Sequence, residues 1–225
     1  MIVDVLRRIK YKVNEQINYN ILDIYGQQGE DEVIDSIIGY KEKGFFIDVG
    51  ASHPIKLNNT YRFYKRGWTG INIDPNPIQV EKLNNKRPRD RNLLLGLGRK
   101  KETLTLWNFG NDGFGSSFSK KFVESQKKQG FFPTSKNTMQ VDTLKSICDK
   151  YVGDKTIDLL NVDVEGHDME VLKGNNWKKY KPKVLCLECM WKLKEFEKYL
   201  KPKGYFVYRI IGGNVIFVLS DYFEN

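Results

Sequence analysis

The segment Gly44-Phe45-Phe46-Ile47-Asp48-Val49-Gly50-Ala51 constrains this chain more than any other: an apolar run that stops on an acid-Val-Gly turn. A second short run, Ile71-Asn72-Ile73, ends on Asp74, 24 residues beyond Gly50. In a βαβ unit the first turn brings backbone close to a ligand, and an acid at the end of the next strand reaches ribose hydroxyls. The turn reads Asp48-Val49-Gly50-Ala51-Ser52-His53-Pro54, with neither G-x-G-x-x-G nor G-x-x-x-x-G-K-[ST], the patterns that cradle a pyrophosphate. A cofactor with ribose and adenine but no phosphate fits these residues, and S-adenosylmethionine is the candidate.

Strands and helices alternate around that unit. The pattern predicts a helix over Gln28–Tyr40 with acids in its first turn, strand one at Phe45–Val49, a helix or turn at Asn58–Arg66, and strand two at Ile71–Ile73. A helix at Pro77–Leu83, strand three at Arg91–Leu97 and an edge-like strand at Thr103–Trp107 follow. Residues 108–137 read as a long Gly-, Ser-, Phe- and Lys-rich loop, of the kind used as a lid or binding loop. Beyond it come Thr138–Val141, helix Asp142–Tyr151, strand Ile157–Val162 ending on Asp163, strand Val184–Cys189 and helix Lys194–Leu200. Tyr205–Ile211 and Asn214–Leu219 pair through Gly212-Gly213. Unbroken apolar strands alternating with helices predict an α/β fold with a buried, mostly parallel sheet and an antiparallel C-terminal hairpin.

The 225 residues suit one main domain over 41–225, preceded by a helical segment, 1–40. In that segment Ile2, Val5, Leu6, Ile9 and Val13 recur at helical spacing, and packing on the chain's own domain is the expected use. No apolar stretch approaches the ~18 to 20 residues of a membrane span. The start, Met1 to Arg8, lacks a signal peptide's apolar centre, and Cys148, Cys186 and Cys189 form no disulfide framework, so a cytoplasmic location is expected. The formal charge of +9 arises from 37 Lys+Arg against 28 Asp+Glu. The field favours an anionic acceptor such as a nucleotide-linked sugar. The lysines form no dense tract, so nucleic acid is not favoured. A homodimer is as compatible with the pattern as a monomer.

Several motifs in one order resemble a known family. Asp48-Val49-Gly50-Ala51-Ser52-His53-Pro54, Asn59-Thr60, Gly67-Trp68, Gly70-Ile71-Asn72-Ile73-Asp74-Pro75 and Asp158-Leu159-Leu160-Asn161-Val162-Asp163-Val164-Glu165-Gly166 are similar to the FkbM family of S-adenosylmethionine-dependent methyltransferases. Gln27-Gln28-Gly29-Glu30-Asp31 is similar to that family's entry motif. The resemblance runs from about Gln27 to Leu219. It implies the class I methyltransferase (Rossmann-like) fold, a seven-stranded sheet between helices whose last strand is antiparallel. It also implies O-methylation, commonly of a sugar hydroxyl, and it alone places Gln27 and Glu30 at the cofactor.

Asp48, Gly50, Ala51 and Asp74 are the residues expected to hold the cofactor. Asp163-Val164-Glu165-Gly166-His167-Asp168 ends a strand on the ligand side of the sheet and is the expected chemical centre. Methyl transfer from a sulfonium needs alignment and removal of the alcohol's proton, for which Asp163, Glu165, His53 and His167 are the candidate bases. Asp163, Glu165 and Asp168 also have the oxygen chemistry of Mg²⁺ or Mn²⁺ sites, but nothing fixes a ligand elsewhere and no metal ligand is assigned. Cys186 and Cys189 have C-x-x-C spacing inside an apolar strand, where packing is the expected role. Glu188 between them approaches the crevice as an acceptor-site candidate. The loop's Phe109, Phe114, Ser116, Ser117, Phe118, Phe131 and Phe132, with Lys120, Lys121, Lys127 and Lys128, would suit a phosphorylated sugar. Methylation of RNA or protein, and a basic binding module without turnover, remain the other readings of the sequence.

Overall fold

A computed structural model describes residues 22–110 and 115–223 of the chain. Residues 1–21 of the expected N-terminal helical segment, with Ile2, Val5, Leu6, Ile9 and Val13, residues 111–114 with Phe114, and the last two residues lie outside the described residues. Ten strands form a seven-stranded sheet in the order β3-β2-β1-β7-β8-β10-β9 and a three-stranded sheet in the order β4-β6-β5.

In the large sheet, β1 (Phe45–Val49), β2 (Thr69–Asp74), β3 (Arg91–Leu94), β7 (Leu159–Val162) and β8 (Val184–Glu188) are parallel neighbours. Strand β10 (Asn214–Leu219) runs antiparallel to β8 on one side and to β9 (Tyr205–Ile211) on the other. This is the class I methyltransferase fold, with the last strand reversed. The unbroken apolar runs have a direct cause: both faces of the sheet are covered. Phe46 packs among Ile34, Phe63 and Trp68 on one face, whereas Phe45, Ile47 and Val49 pack among Leu144, Val171 and Leu185 on the other. A side chain buried as fully as Phe46 contributes about 1.5–3 kcal/mol.

Helices α1 (Glu30–Ile38) and α2 (Tyr61–Arg66) cover the first face, and α5 (Leu144–Tyr151), α6 (Asp168–Lys173) and α7 (Leu193–Leu200) the second. Helix α3 (Pro77–Lys86) packs on β2 and β3, and α8 (Ser220–Phe223) follows β10. No described helix is long and apolar enough to cross a membrane.

Two expectations need correction. The run Arg91–Leu97 is not one strand: β3 ends at Leu94, and β4 (Gly96–Gly98) joins the second sheet. A Cβ on Gly96 would lie 2.6 Å from the Phe118 ring, so the change of sheet depends on a bare glycine under that ring. The strand at Thr103–Trp107 is β5 (Glu102–Asn108), an edge strand as expected, in the small sheet. The stretch 108–137 is not a continuous loop, because it contains α4 (Lys120–Lys128) and the start of β6 (Ser135–Thr143). Helix α4 buries only Val123, and β6 is polar and mostly exposed, so neither carries an apolar periodicity. The acids of α1 do more than face the helix dipole: Glu30 accepts from Asn214 Nδ2 at 2.8 Å, and Asp35 pairs with Arg62 and Arg66.

Candidate active site

The chain runs from β1 outward to β2 and β3, then returns to place β7 on the other side of β1. At such a reversal of strand order the loops part and leave a crevice beyond the carboxyl ends. A cavity of about 310 Å³ lies there, lined among others by Gln27, Asp48, Gly50, Ala51, Asp74, Asp163, Glu165 and Glu188. That volume is at the lower end of the ~300–1,000 Å³ typical of small-molecule sites.

Each wall follows from local chemistry. Gly50 has φ +80°, and a Cβ there would sit 1.8 Å from the Asp163 carbonyl oxygen, so β1 and β7 converge only because this residue has no side chain. Gly50 N and Ala51 N both donate to Ile73 O, at 2.8 and 3.2 Å. Ser52 N donates to Asp74 Oδ2 at 2.8 Å, and Asn76 N to Asp74 Oδ1 at 2.8 Å. The N–H groups that a phosphate-binding turn would present are therefore taken up within the protein. Asp74 is fixed in orientation while each oxygen keeps acceptor capacity, and burial pushes it up to about 6.

Asp48 is held by side chains from distant parts of the sequence. Its Oδ1 accepts from Asn161 Nδ2 at 2.8 Å, and its Oδ2 from Thr60 Oγ1 at 2.7 Å and Asn58 Nδ2 at 3.4 Å. Behind them Arg87, fully buried, donates to Thr60 Oγ1 at 3.0 Å and Asn58 Oδ1 at 3.2 Å and pairs with Asp90 at 2.8 Å. Burial raises the Asp48 carboxyl against the opposing pull of Arg87. Asn58, Thr60, Asn161 and Arg87 had no assigned role in the sequence. The available signal was Asn161 inside the apolar run of β7, since a buried polar side chain demands a partner. Asn59 Nδ2 reaches Asn161 Oδ1 at 3.0 Å, whereas Asn59 Oδ1, on the cavity wall, is buried without a partner among the described residues.

At the other end Asp163 and Glu188 stand side by side on the cavity wall, one step beyond the paired Val162 and Leu187 of β7 and β8. Burial, then the charge of Glu188, holds Asp163 well above the usual carboxylate range. Burial, then Glu165 and Asp168, raises Glu188 to about 7. Glu165 has φ +53° and Gly166 φ +84°, a left-handed pair that turns the Glu165 side chain into the cavity. Burial, then Asp163 and Asp168, lifts Glu165 to about 7. Asp168 closes the turn by accepting from Val164 N and Gly166 N at 3.2 and 3.1 Å. Gly115, Ser116 and Phe118 form the facing wall, tied down where Ser117 Oγ donates to Glu165 O at 2.7 Å.

Gln27, Asp48, Gly50, Ala51, Asp74, Asp163 and Glu165 thus come together at one cavity, and Glu30, His53 and His167 do not line it. Glu30 braces the start of α1 against β10, its Oε2 accepting from Gln28 N at 2.8 Å. His53 Nδ1 accepts from Ile55 N and Lys56 N at 3.1 and 2.9 Å, so that nitrogen shapes the turn. His167 packs against Phe118, 5.7 Å between ring centroids, and burial lowers its pKa. Among the described residues no group of three or more His, Cys, Asp and Glu is arranged to hold a metal. The three cysteines are free and buried.

Among the described residues the cavity lining contains five carboxylates and no Lys, Arg or His. Such a surface repels a pyrophosphate and favours a ligand that carries positive charge. A nucleoside with a sulfonium suits these groups: acceptors for ribose hydroxyls at Asp74, an unfilled acceptor at Asn59, and an acidic far end. A solved structure with a similar overall shape is a TehB-like SAM-dependent methyltransferase from Corynebacterium glutamicum, at TM-score 0.43 and 12% identity over 95% of this chain and 97% of that one. The fold assignment rests on strand order and direction, not on that distant likeness. No curated protein matches the sequence. The methyltransferase FkbM domain matches residues 48–208, from Asp48 into β9, so the chain belongs to the FkbM family of methyltransferases, for which S-adenosylmethionine is the implied methyl donor.

Proposed function

We propose that the protein transfers the methyl group of S-adenosylmethionine to a hydroxyl of a carbohydrate, a nucleotide-linked sugar or a surface-glycan precursor. The observation that carries this reading is the acidic cavity at the strand reversal, where Glu165 stands at about 7 beside the wall formed by Gly115, Ser116 and Phe118. The donor supplies a methyl carbon on a sulfonium, so its leaving group is already activated. Asp74 takes the ribose hydroxyls, the network around Asp48 fixes the Gly50 turn, and Asn59 Oδ1 accepts from the amino-acid ammonium.

What remains for the protein is alignment and a proton. Alignment supplies ~7 to 11 kcal/mol of barrier lowering in well-oriented reactions. In the transfer the acceptor's O–H bond breaks, the oxygen forms a bond to the methyl carbon, the C–S bond breaks, and sulfur leaves as a neutral thioether. Glu165 receives the proton, and Asp163 orients the hydroxyl. A base with a pKa near 7 contributes about 10² to 10⁴ in rate at neutral pH. The exposed Lys120, Lys121, Lys127 and Lys128 on α4, which begins directly after the Ser116–Phe118 wall, suit the phosphates of a nucleotide-linked sugar. Three unpaired thiols support a reducing, cytoplasmic location.

The test is incubation with labelled S-adenosylmethionine and a panel of nucleotide-sugars and glycans, with and without chelator. Label on a sugar hydroxyl, insensitive to chelator and lowered about 10²-fold or more by Glu165→Gln at unchanged donor affinity, is the expected result. Full activity of that variant would remove Glu165 from the chemistry, and label found only on amines or RNA would refute the hydroxyl acceptor.

A further inference from the structure

Strands β2, β1, β7 and β8 are successive neighbours in the sheet, and their carboxyl ends carry Asp74, Asp48, Asp163 and Glu188. Neighbouring strands lie about 4.8 Å apart. A nucleoside whose ribose rests at Asp74 therefore crosses β1 with the group on its 5′ carbon and brings the reacting sulfur towards the Asp163–Glu188 pair. Asp163 and Glu188, each one step past the paired Val162 and Leu187 and both on the cavity wall, bring two like charges together in low dielectric, where both do not readily ionise. In the absence of a cation one proton held between them relieves the repulsion.

The groups facing the pair reinforce this. Asp48 from β1, Glu165 from the turn after β7 and Asp168 from α6 are acidic, and each raises the proton affinity of one or both partners. The opposing charge is Lys192, in the turn after β8, which acts on Glu188 and Asp168 without lining the cavity. Asp48 is satisfied by Asn161, Thr60 and Asn58, and Asp168 by two backbone N–H groups, so neither donates to the pair.

We propose that the Asp163–Glu188 pair distinguishes the methyl donor from its demethylated product by charge, giving up its shared proton when a sulfonium enters and regaining one when a neutral thioether takes its place. This rests on the reading that the cavity binds S-adenosylmethionine. Donor and product share adenine, ribose and amino-acid groups, so the charge on sulfur and its methyl group are all that separates them. A positive charge can replace the proton between the two carboxylates, but a thioether cannot. The product is therefore held less tightly, and its release is favoured by the same residues that attract the donor.

Calorimetry on the full chain tests this with S-adenosylmethionine, S-adenosylhomocysteine, and an analogue that carries an amine cation in place of the sulfonium. Each is titrated near pH 8 and near pH 6, in two buffers of different ionisation enthalpy. The two cations should bind about tenfold or more tighter than the thioether near pH 8, with the gap narrowing near pH 6. Proton release should accompany the cations and be absent with the thioether. In the Asp163→Asn/Glu188→Gln double variant both the gap and the release should collapse, while affinity for S-adenosylhomocysteine persists. Neutral isosteric amides remove like-charge repulsion, so this variant should fold. If circular dichroism shows that it does not, Glu188→Gln alone serves, because one carboxylate without its partner has no shared proton to lose. Equal affinities near pH 8, cation binding without proton release, or undiminished discrimination in the double variant would each overturn the inference. Failure of all three ligands to bind would instead overturn the proposed function.

Discussion

Replacing Gly50 with alanine probes the point on which the site's geometry turns. The residue has φ +80°, and its missing Cβ would lie 1.8 Å from Asp163 O, a collision of backbone with backbone that no rotamer change relieves. The left-handed conformation alone costs a non-glycine residue about 1–2 kcal/mol. Separating the strand ends also weakens two hydrogen bonds, Gly50 N to Ile73 O at 2.8 Å and Asp163 N to Val49 O at 3.0 Å. At about 0.5–1.5 kcal/mol each, they bring the total to roughly 2–5 kcal/mol. For a chain of this size, at about 2–4 °C per kcal/mol, that corresponds to a fall in melting temperature of about 4–20 °C. Donor affinity should fall with it, since the displaced turn carries Ser52, the backbone donor that orients Asp74. Thermal denaturation followed by circular dichroism, with calorimetric titration of the donor, measures both. A variant that melts within about 2 °C of the parent and binds the donor unchanged would refute the claim that β1 and β7 meet through a bare glycine.

Three further outcomes follow from the same contacts. Asp74→Ala should lower donor affinity about 100-fold or more, two charge-assisted hydrogen bonds at ~1.5–3 kcal/mol each being lost, and unchanged affinity by calorimetry would count against ribose recognition there. Arg87→Met should destabilise by about 3–5 kcal/mol in urea unfolding, because it leaves Asp90 buried without its cation and Thr60 and Asn58 without their donor. The acids of the floor also set a pH dependence. Asp163, Glu165 and Glu188 all have folded-state pKa values above their unfolded ones, so the folded protein binds more protons, and stability is lost as pH rises from about 4.5 through about 7. The melting temperature of the ligand-free protein should therefore decline over that window, and Asp163→Asn/Glu188→Gln should flatten the slope; an unchanged slope in the variant would show that other groups set it.

The part of the fold most legible in the sequence is the part buried on both faces. Phe45–Val49 and Asn214–Leu219 fall where the apolar pattern places them, Tyr205–Ile211 does so at the mostly exposed edge of the sheet, and Asp48 and Asp74 stand at the ends of their strands as read. Residues 115–143 were not legible, for a physical reason. Helix α4 buries only Val123 and β6 is polar, so what holds them is long-range: a paired Trp107 and Ser117, and the Ser117 hydroxyl on Glu165 O. Position 165 shows the same limit within the candidate site. Its acid could be read from the sequence, but its left-handed backbone, which aims the side chain, depends on Gly166 and on Asp168 closing the turn. The setting of Asp48 was hidden more deeply, since Asn161 lies 113 residues away and Arg87 acts on it through Thr60 and Asn58.

The distribution of acids along the sheet separates structural from functional carboxylates. At the amino end of β7, Asp158 is buried, yet Lys41 and Lys183 each reach it at 2.9 Å and Phe45 N donates to it at 3.1 Å. Asp90 has Arg87, and Asp35 has Arg62 and Arg66. Those acids are neutralised where they stand. At the carboxyl end of the same strands Asp163, Glu165 and Glu188 face one another across a cavity with no cation in its lining. Like charges gathered in low dielectric oppose folding, and these three, unlike Asp35, Asp90 and Asp158, have no cation of the chain paired with them among the described residues. Protons held by the acids offset the repulsion in the empty site, and a positive charge on a ligand can take their place. The +9 formal charge does not contradict this, because the site's own field is set by the groups that line it.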